Sequence, residues 1–390
     1  MTAAATTPSP VAKSRLFYLD TLKVALTMLV VLHHVGQAYG PTGGFWYVDD
    51  PVSFRPLGPF FRVNASFFMG LFFFLSAYFL PATIDRKGAG PFLKDRLMRL
   101  GVPIVLFLLT LIPLMTWASF NHFRGGNLPF GEYCTQVWLG LGTKPPGWTG
   151  PAWPELNFGH LWFIEHLLVY AAVYAAWRAF YRNPGAGARR LIAPPGDLAL
   201  LGYAVAMAAV TYVVRIPYPI DKWVGILGFI QAEPAHLPQY ASLFVLGVAA
   251  YRNDWLQRFD TKVGYRWLAL GAGLVVLHFS LTLTGHWYGV MPRFLDLLWE
   301  CLVCVSLSAG LITLFREKLN GDLPVGKWLA ANAYGAYLFH IPVLVLLQYA
   351  VLPLQAGGLV KFLLVSAAAV PFSFLVTDAL RRIPGATRVL

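Results

Sequence analysis

The sequence predicts an all-α polytopic membrane protein, a single bundle of about ten transmembrane helices with both termini cytoplasmic. Three observations carry this. Of the 390 residues, 57% are hydrophobic and only 12% charged, about half the roughly 25% charge of a soluble chain. Mean hydropathy is +0.58, more apolar side chain than one soluble core can bury. Apolar runs near the roughly 20 residues that cross a bilayer as a helix recur along the whole chain.

The expected spans lie at 16–39, 60–80, 97–120, 160–181, 198–214, 237–251, 267–285, 294–315, 329–351 and 359–380. The fifth and sixth are the weakest by length, and an apolar stretch near 223–230 is either re-entrant or surface-lying. The first run exceeds a signal-peptide core and lacks a small-residue cleavage site, so it is read as a retained helix. No internal repeat is visible. One membrane domain, 16–380, is expected between cytoplasmic tails 1–15 and 381–390.

Basic residues orient the bundle, because inner loops collect Lys and Arg. With the N-terminus inside, 21 of the 30 basic residues are internal, among them Arg86, Lys87, Lys94, Arg96 and Arg99. The net charge of +12 is therefore a topology signal, and no nucleic-acid partner is needed to explain it. Cys134, Cys301 and Cys304 form neither a disulfide framework nor a zinc pattern, and no metal is expected. Two long outer segments, 40–59 and 121–159, are rich in Pro, Gly and Trp. Trp148 and Trp153 fit a headgroup aromatic belt; the alternative is a lid whose indoles stack on sugar rings.

The first span, "LDTLKVALTMLVVLHHVGQAYG", carries the sharpest signal. Lys23 inside a spanning helix costs about 2.5–3.5 kcal/mol on insertion scales. His34 follows 11 residues later, only about 20° from eclipsed and about 16 Å farther along the axis. Asp20, Thr27 and Val30 lie close to that stripe, while His33 points about 100° away and is placed to support His34 from the side. A cation in the inner third and a titratable base in the outer half describe a path across the membrane. The bland alternative is a snorkelling lysine and a histidine bonded to a neighbouring carbonyl.

In the fourth span, "GHLWFIEHLLVY", His160, Glu165 and His166 lie near the outer surface, with Trp162 on the face of His166. Glu165 one turn inside a membrane helix is a candidate to orient an imidazole or bind a substrate. His160 has a bland role open to it at the helix start. In the ninth span, Tyr337 shares a face with His340. Arg293, Asp296 and Glu300 suit a structural ion network at least as well as a substrate contact, and His278 and Asp378 read as interhelical polar contacts.

These segments resemble acyltransferase family 3, a family of membrane-bound acyltransferases. The signature is a first-helix basic residue with histidine after ten intervening residues, here Lys23 and His34. "FFMGLFFFLSAYFL", "RKGAGPFLKDRLMRLGVP", "GHLWFIEHLLVY" and "NAYGAYLFHIPVL" follow in the family's order over nearly the whole chain. Lysine where many members have arginine keeps the charge and loses the bidentate fork. The resemblance is strongest to the glucans biosynthesis protein C-like branch, which implies succinylation of periplasmic glucans.

What the resemblance implies is an O-acyltransferase of the cell membrane. It would move an acetyl or succinyl group from cytoplasmic acyl-coenzyme A to a hydroxyl of an exported or cell-surface carbohydrate, with no permanently bound cofactor. Lys23, Arg96 and Arg99 would hold the donor, the two arginines sharing a face at a helix entrance. His34 would deprotonate the acceptor hydroxyl, with Glu165 assisting, and a covalent intermediate on His34 is an open variant. His33, His160, His166, Tyr337, His340 and Trp153 are the candidates for lining the cavity or meeting the acceptor. The competing class is a transporter or flippase, since buried charge also marks permeation paths; the absence of a visible repeat argues against it. A non-catalytic partner holding open a channel is a third reading.

Overall fold

The computed structural model describes residues 16–41, 46–144, 146, 148, 153–181, 191–227, 230–287 and 291–390. The expected tail 1–15, and Arg182, Arg189 and Arg190 of an expected inner loop, lie outside the described residues. The chain is mostly helical. In order the helices are α1 (Phe17–Gly36), α2 (Leu57–Tyr78), α3 (Leu80–Lys87), α4 (Ala89–Arg96), α5 (Val102–Leu109), α6 (Leu111–Phe123), α7 (Phe130–Tyr133), α8 (Trp162–Phe180), α9 (Asp197–Arg215), α10 (Leu237–Arg252), α11 (Trp255–Arg258), α12 (Thr261–Leu283), α13 (Arg293–Lys318), α14 (Pro324–Val351) and α15 (Gly358–Arg381).

Among the described residues, eight helical segments are long and apolar enough to cross a membrane. They are α1, α2 with α3, α4 through α6, α9, α12, α13, α14 and α15. The fourth and sixth expected spans are helices too, α8 and α10, yet neither meets that measure. α10 has only 16 residues, and α8 is diluted by Glu165, His166, Arg178 and its tyrosines and tryptophans. Among the described residues around 223–230 there is no helix. Val224–Ile226 (β1) pairs antiparallel with Ile230–Ala232 (β2) in a hairpin beside the N-terminal end of α10.

Small residues let the helices close on one another, as membrane packing requires. A Cβ at Gly335 of α14 would fall inside the Thr377 side chain of α15, and one at Gly247 of α10 would strike the Phe74 carbonyl of α2. Two prolines shape the backbone that carries the site. Pro103 follows a π-turn at Leu97–Gly101 and has no N–H for the carbonyl four residues back, that of Arg99. Pro342, inside α14, likewise leaves the Leu338 carbonyl without its helical donor. Side chains meet both carbonyls, as described next.

Candidate active site

A cavity of about 350 Å³ is lined by Lys23, Thr27 and Asp20 of α1, by Arg96 and Arg99 of the α4–α5 segment, and by Phe163 of α8. Tyr334 and, one turn deeper on α14, Tyr337 complete that side. The cations are held by aromatic faces. Lys23 Nζ stands 3.9 Å from the Phe79 ring centroid, Arg96 is 5.2 Å from that of Phe92, and Arg99 is 5.5 Å from that of Tyr334. Quadrupole attraction orients such cations without neutralising them, so the charge stays available to an anion. The Tyr334 hydroxyl donates to the Arg99 carbonyl that Pro103 leaves open, fixing the turn that presents Arg99.

Beyond Tyr337 three imidazoles meet, one from each of α1, α14 and the turn before α8. The His34 and His340 rings are 5.1 Å apart at 89°, and His340 and His160 are 5.1 Å apart at 80°. Each ring is tied to a carbonyl, and a carbonyl only accepts, so the tied nitrogen bears the proton of the neutral ring. His34 Nδ1 faces Val30 O at 3.2 Å and His340 Nδ1 faces Tyr337 O at 2.5 Å. His160 Nε2 donates at 2.9 Å to the Leu338 carbonyl freed by Pro342. Lone pairs therefore sit on His34 Nε2, His340 Nε2 and His160 Nδ1. The last two are buried and meet no partner among the described residues. A cluster of neutral bases with open acceptor positions suits a group that arrives carrying a proton, such as a hydroxyl. The Tyr337 hydroxyl, bonded to the His160 carbonyl, closes the cluster on the cavity side.

Other sequence candidates fall elsewhere. His33 stays beside His34, 5.4 Å between ring centroids, while packing against Phe60, Phe61 and Phe68 and sharing a hydrogen bond with Gln37 at 3.1 Å. Glu165 Oε2 accepts the backbone N–H of Gln231 at 3.2 Å, and His166 Nε2 donates to the Gln231 carbonyl at 3.0 Å. Both thus grip β2 of the hairpin, and the described partner of Glu165 is this backbone rather than an imidazole. Trp153 packs on Trp148, 5.2 Å between centroids, in a loop cluster with Phe120, Tyr133 and the Arg124–Glu155 ion pair of 2.7 Å. Burial pushes the Glu155 carboxyl up from its ordinary value, against the pull of Arg124.

The tryptophan beside the histidine cluster is one the sequence analysis passed over. Trp46 lies 5.7 Å from His34, although it sits 12 positions further along, in a loop whose spacing carries no helical signal. The network around Asp296 and Glu300 draws its cations from other helices. Arg62 pairs with Asp296 at 2.7 Å, and Arg215 binds both Glu300 oxygens at 2.9 and 2.7 Å. His278 is sealed between Trp287 and Trp299. Asp378 joins Trp328 of the neighbouring helix. Among the described residues, no His/Cys/Asp/Glu group is arranged to hold a metal ion.

Comparison with known proteins identifies the family. Residues 16–378 match the family model of an acyltransferase domain. The chain is similar to the glucans biosynthesis protein C of Salmonella heidelberg and of Salmonella typhi, each 24% identical over 366 residues, which is 91% of this chain and 89% of the relative. The protein of that name from Salmonella paratyphi B is 24% identical over 368 residues, with the same coverage. With the match running from the first helix to the last, the chain belongs to acyltransferase family 3 and is a multi-pass membrane O-acyltransferase.

Proposed function

We propose that the protein transfers an acetyl or succinyl group from acyl-coenzyme A, bound from the cytoplasm, to a hydroxyl of a glucan or related carbohydrate outside the inner membrane. The single observation that supports this best is the arrangement along one axis. A cationic cavity leads to Tyr337, and directly behind Tyr337 stand neutral imidazoles with open lone pairs. Lys23, Arg96 and Arg99 offer three cations to the phosphates of the donor, and the cavity's aromatic wall suits the apolar part of the pantetheine arm. In this reading α8 and α10 cross as well, giving ten spans with both termini cytoplasmic. The name of the Salmonella relatives is what points to a glucan.

The chemistry follows from the tautomers. As the acceptor oxygen attacks the thioester carbonyl carbon, its proton passes to Nε2 of His34, whose Nδ1–H stays anchored on Val30 O. The tetrahedral centre collapses, the C–S bond breaks, and the acyl group remains on the acceptor as an ester. The leaving thiolate takes the proton from the imidazolium and departs as the thiol. General-base assistance of this kind contributes about 10²–10⁴-fold. His340 and His160 keep the space around His34 polar and proton-accepting. Glu165 acts at one remove, by holding the hairpin against α8.

Purified protein in detergent, where no gradient exists, is expected to transfer the acyl group of succinyl- or acetyl-coenzyme A to a gluco-oligosaccharide, read by mass spectrometry of the sugar. Movement of unmodified sugar across proteoliposomes, with no acyl transfer, would overturn this reading in favour of a transporter.

A further inference from the structure

We infer that Trp46 is the acceptor-binding platform, holding a sugar ring against His34, and that the buried Asp50–Lys361 ion pair is the clamp that keeps it there. This rests on the reading of His34 as the base that receives an acceptor hydroxyl.

The orientation of the indole carries the inference. A tryptophan anchoring at lipid headgroups turns its N–H toward the wet interface. Trp46 does the reverse: its Nε1–H donates at 2.8 Å to Oε1 of the fully buried Gln348 on α14. Gln348 Nε2 in turn donates at 3.1 Å to the carbonyl of Val35, the residue after His34. The same glutamine thus registers the indole against the backbone that carries the base, and the two rings meet edge to face at 63°. Trp46 also packs against Tyr47, 5.2 Å between centroids, and remains only half-buried, so part of its surface is still exposed. A pyranose has an apolar C–H face and a rim of hydroxyls. Stacked on Trp46, it puts a hydroxyl within reach of the imidazole, whereas an acyclic polyol has no such face.

The clamp explains how a loop holds so exact a position. Lys361 Nζ donates at 2.7 Å to Asp50 Oδ2 and at 3.1 Å to the Leu352 carbonyl, while Asp50 Oδ1 accepts the Val52 N–H at 3.2 Å. The side chains are 0% (Asp50) and 2% (Lys361) exposed. Burying two charges costs several kcal/mol per ion before their attraction is counted, so such a pair is a poor device for stability and a good one for fixing a single geometry. The Phe54 N–H bonds the Tyr39 carbonyl at 2.7 Å, and the loop backbone at Ser53 and Phe54 rests on Gly358, where a Cβ would meet it at 3.0–3.1 Å. Four residues beyond Trp46, the loop is thereby stitched to the ends of α1 and α15.

The test compares two acceptors with succinyl-coenzyme A as donor, a β-linked gluco-oligosaccharide and glycerol, scoring the ratio of their kcat/KM values. Trp46→Ala is expected to lower that ratio about 10-fold, the scale of one aromatic stacking contact, chiefly through the oligosaccharide KM. Trp46→Phe keeps a ring face without the N–H and is expected to recover most of the loss. The neutral double variant Asp50→Asn/Lys361→Gln, scored on folded protein, should reproduce the loss by releasing the loop. A wild-type protein that acylates neither acceptor would overturn the acyltransfer reading itself. Wild-type transfer to both acceptors, with the ratio unchanged in Trp46→Ala, would overturn the platform alone. An unchanged ratio in the double variant would remove the clamp from the inference.

Discussion

Replacing Pro342 by alanine should make the protein less active without making it less stable. Proline inside a helix costs about 3 kcal/mol relative to alanine, and in α14 part of that is offset because His160 Nε2 donates to the orphaned Leu338 carbonyl at 2.9 Å. Alanine at 342 returns a backbone N–H to the same carbonyl. The His160 bond then becomes redundant, and a net hydrogen bond of about 0.5–1.5 kcal/mol no longer fixes the ring. If turnover follows the population of correctly oriented His160, kcat should fall about 2- to 12-fold, since about 1.4 kcal/mol is tenfold. The thermal midpoint in detergent should hold or rise. Both quantities can be read from one purified sample, by acyl transfer and by a melting scan. An unchanged kcat in folded Pro342→Ala would refute the idea that the proline serves the histidine cluster. A lowered midpoint would show that the ring packs better than the restored N–H bonds.

The remaining expectations divide by the part of the site they touch. His34→Ala should lower kcat about 10²–10⁴-fold with little change in donor affinity, whereas His33→Ala should cost far less, because its ring, though 5.4 Å from His34, packs among phenylalanines and bonds Gln37; near-normal turnover in folded His34→Ala would make that histidine structural. Lys23→Met should mainly raise the donor KM, the mark of lost ground-state binding, and steady-state kinetics in acyl-coenzyme A reads it directly. Glu300→Leu should destabilise by about 3–5 kcal/mol, since it strips the partner from Arg215 and weakens that of Arg62, and a thermal scan in detergent measures it. Lys94→Cys and Lys144→Cys, both exposed, should be labelled from the cytoplasmic and the outer face respectively; labelling from one face would break the ten-span topology.

The sequence alone determined the solvent, the periodicity and one stripe of candidate residues. Hydrophobic runs near bilayer length need no partner to be recognised, because each helix satisfies its own backbone and meets lipid on its own. The Lys23–His34 stripe was legible for the same reason: two residues on one helix are related by the helical repeat alone. Pro103 and Pro342 were visible as letters, and the carbonyls they orphan follow from chain geometry. Which side chains would answer those carbonyls did not follow. Tyr334 lies 235 positions from Arg99 and His160 lies 178 positions from Leu338, and no periodicity links residues on different helices. Tertiary packing alone brought His34, His160 and His340 together and set His33 against phenylalanines of the second helix. It also gave Glu165 to a hairpin backbone, a partner that a sequence scan for ionisable groups does not see. Loop residues such as Trp46 and Asp50 were hidden most completely. Irregular backbone has no repeat to read, and their positions come from single long-range bonds, to Gln348 and to Lys361, that exist only once α14 and α15 have packed.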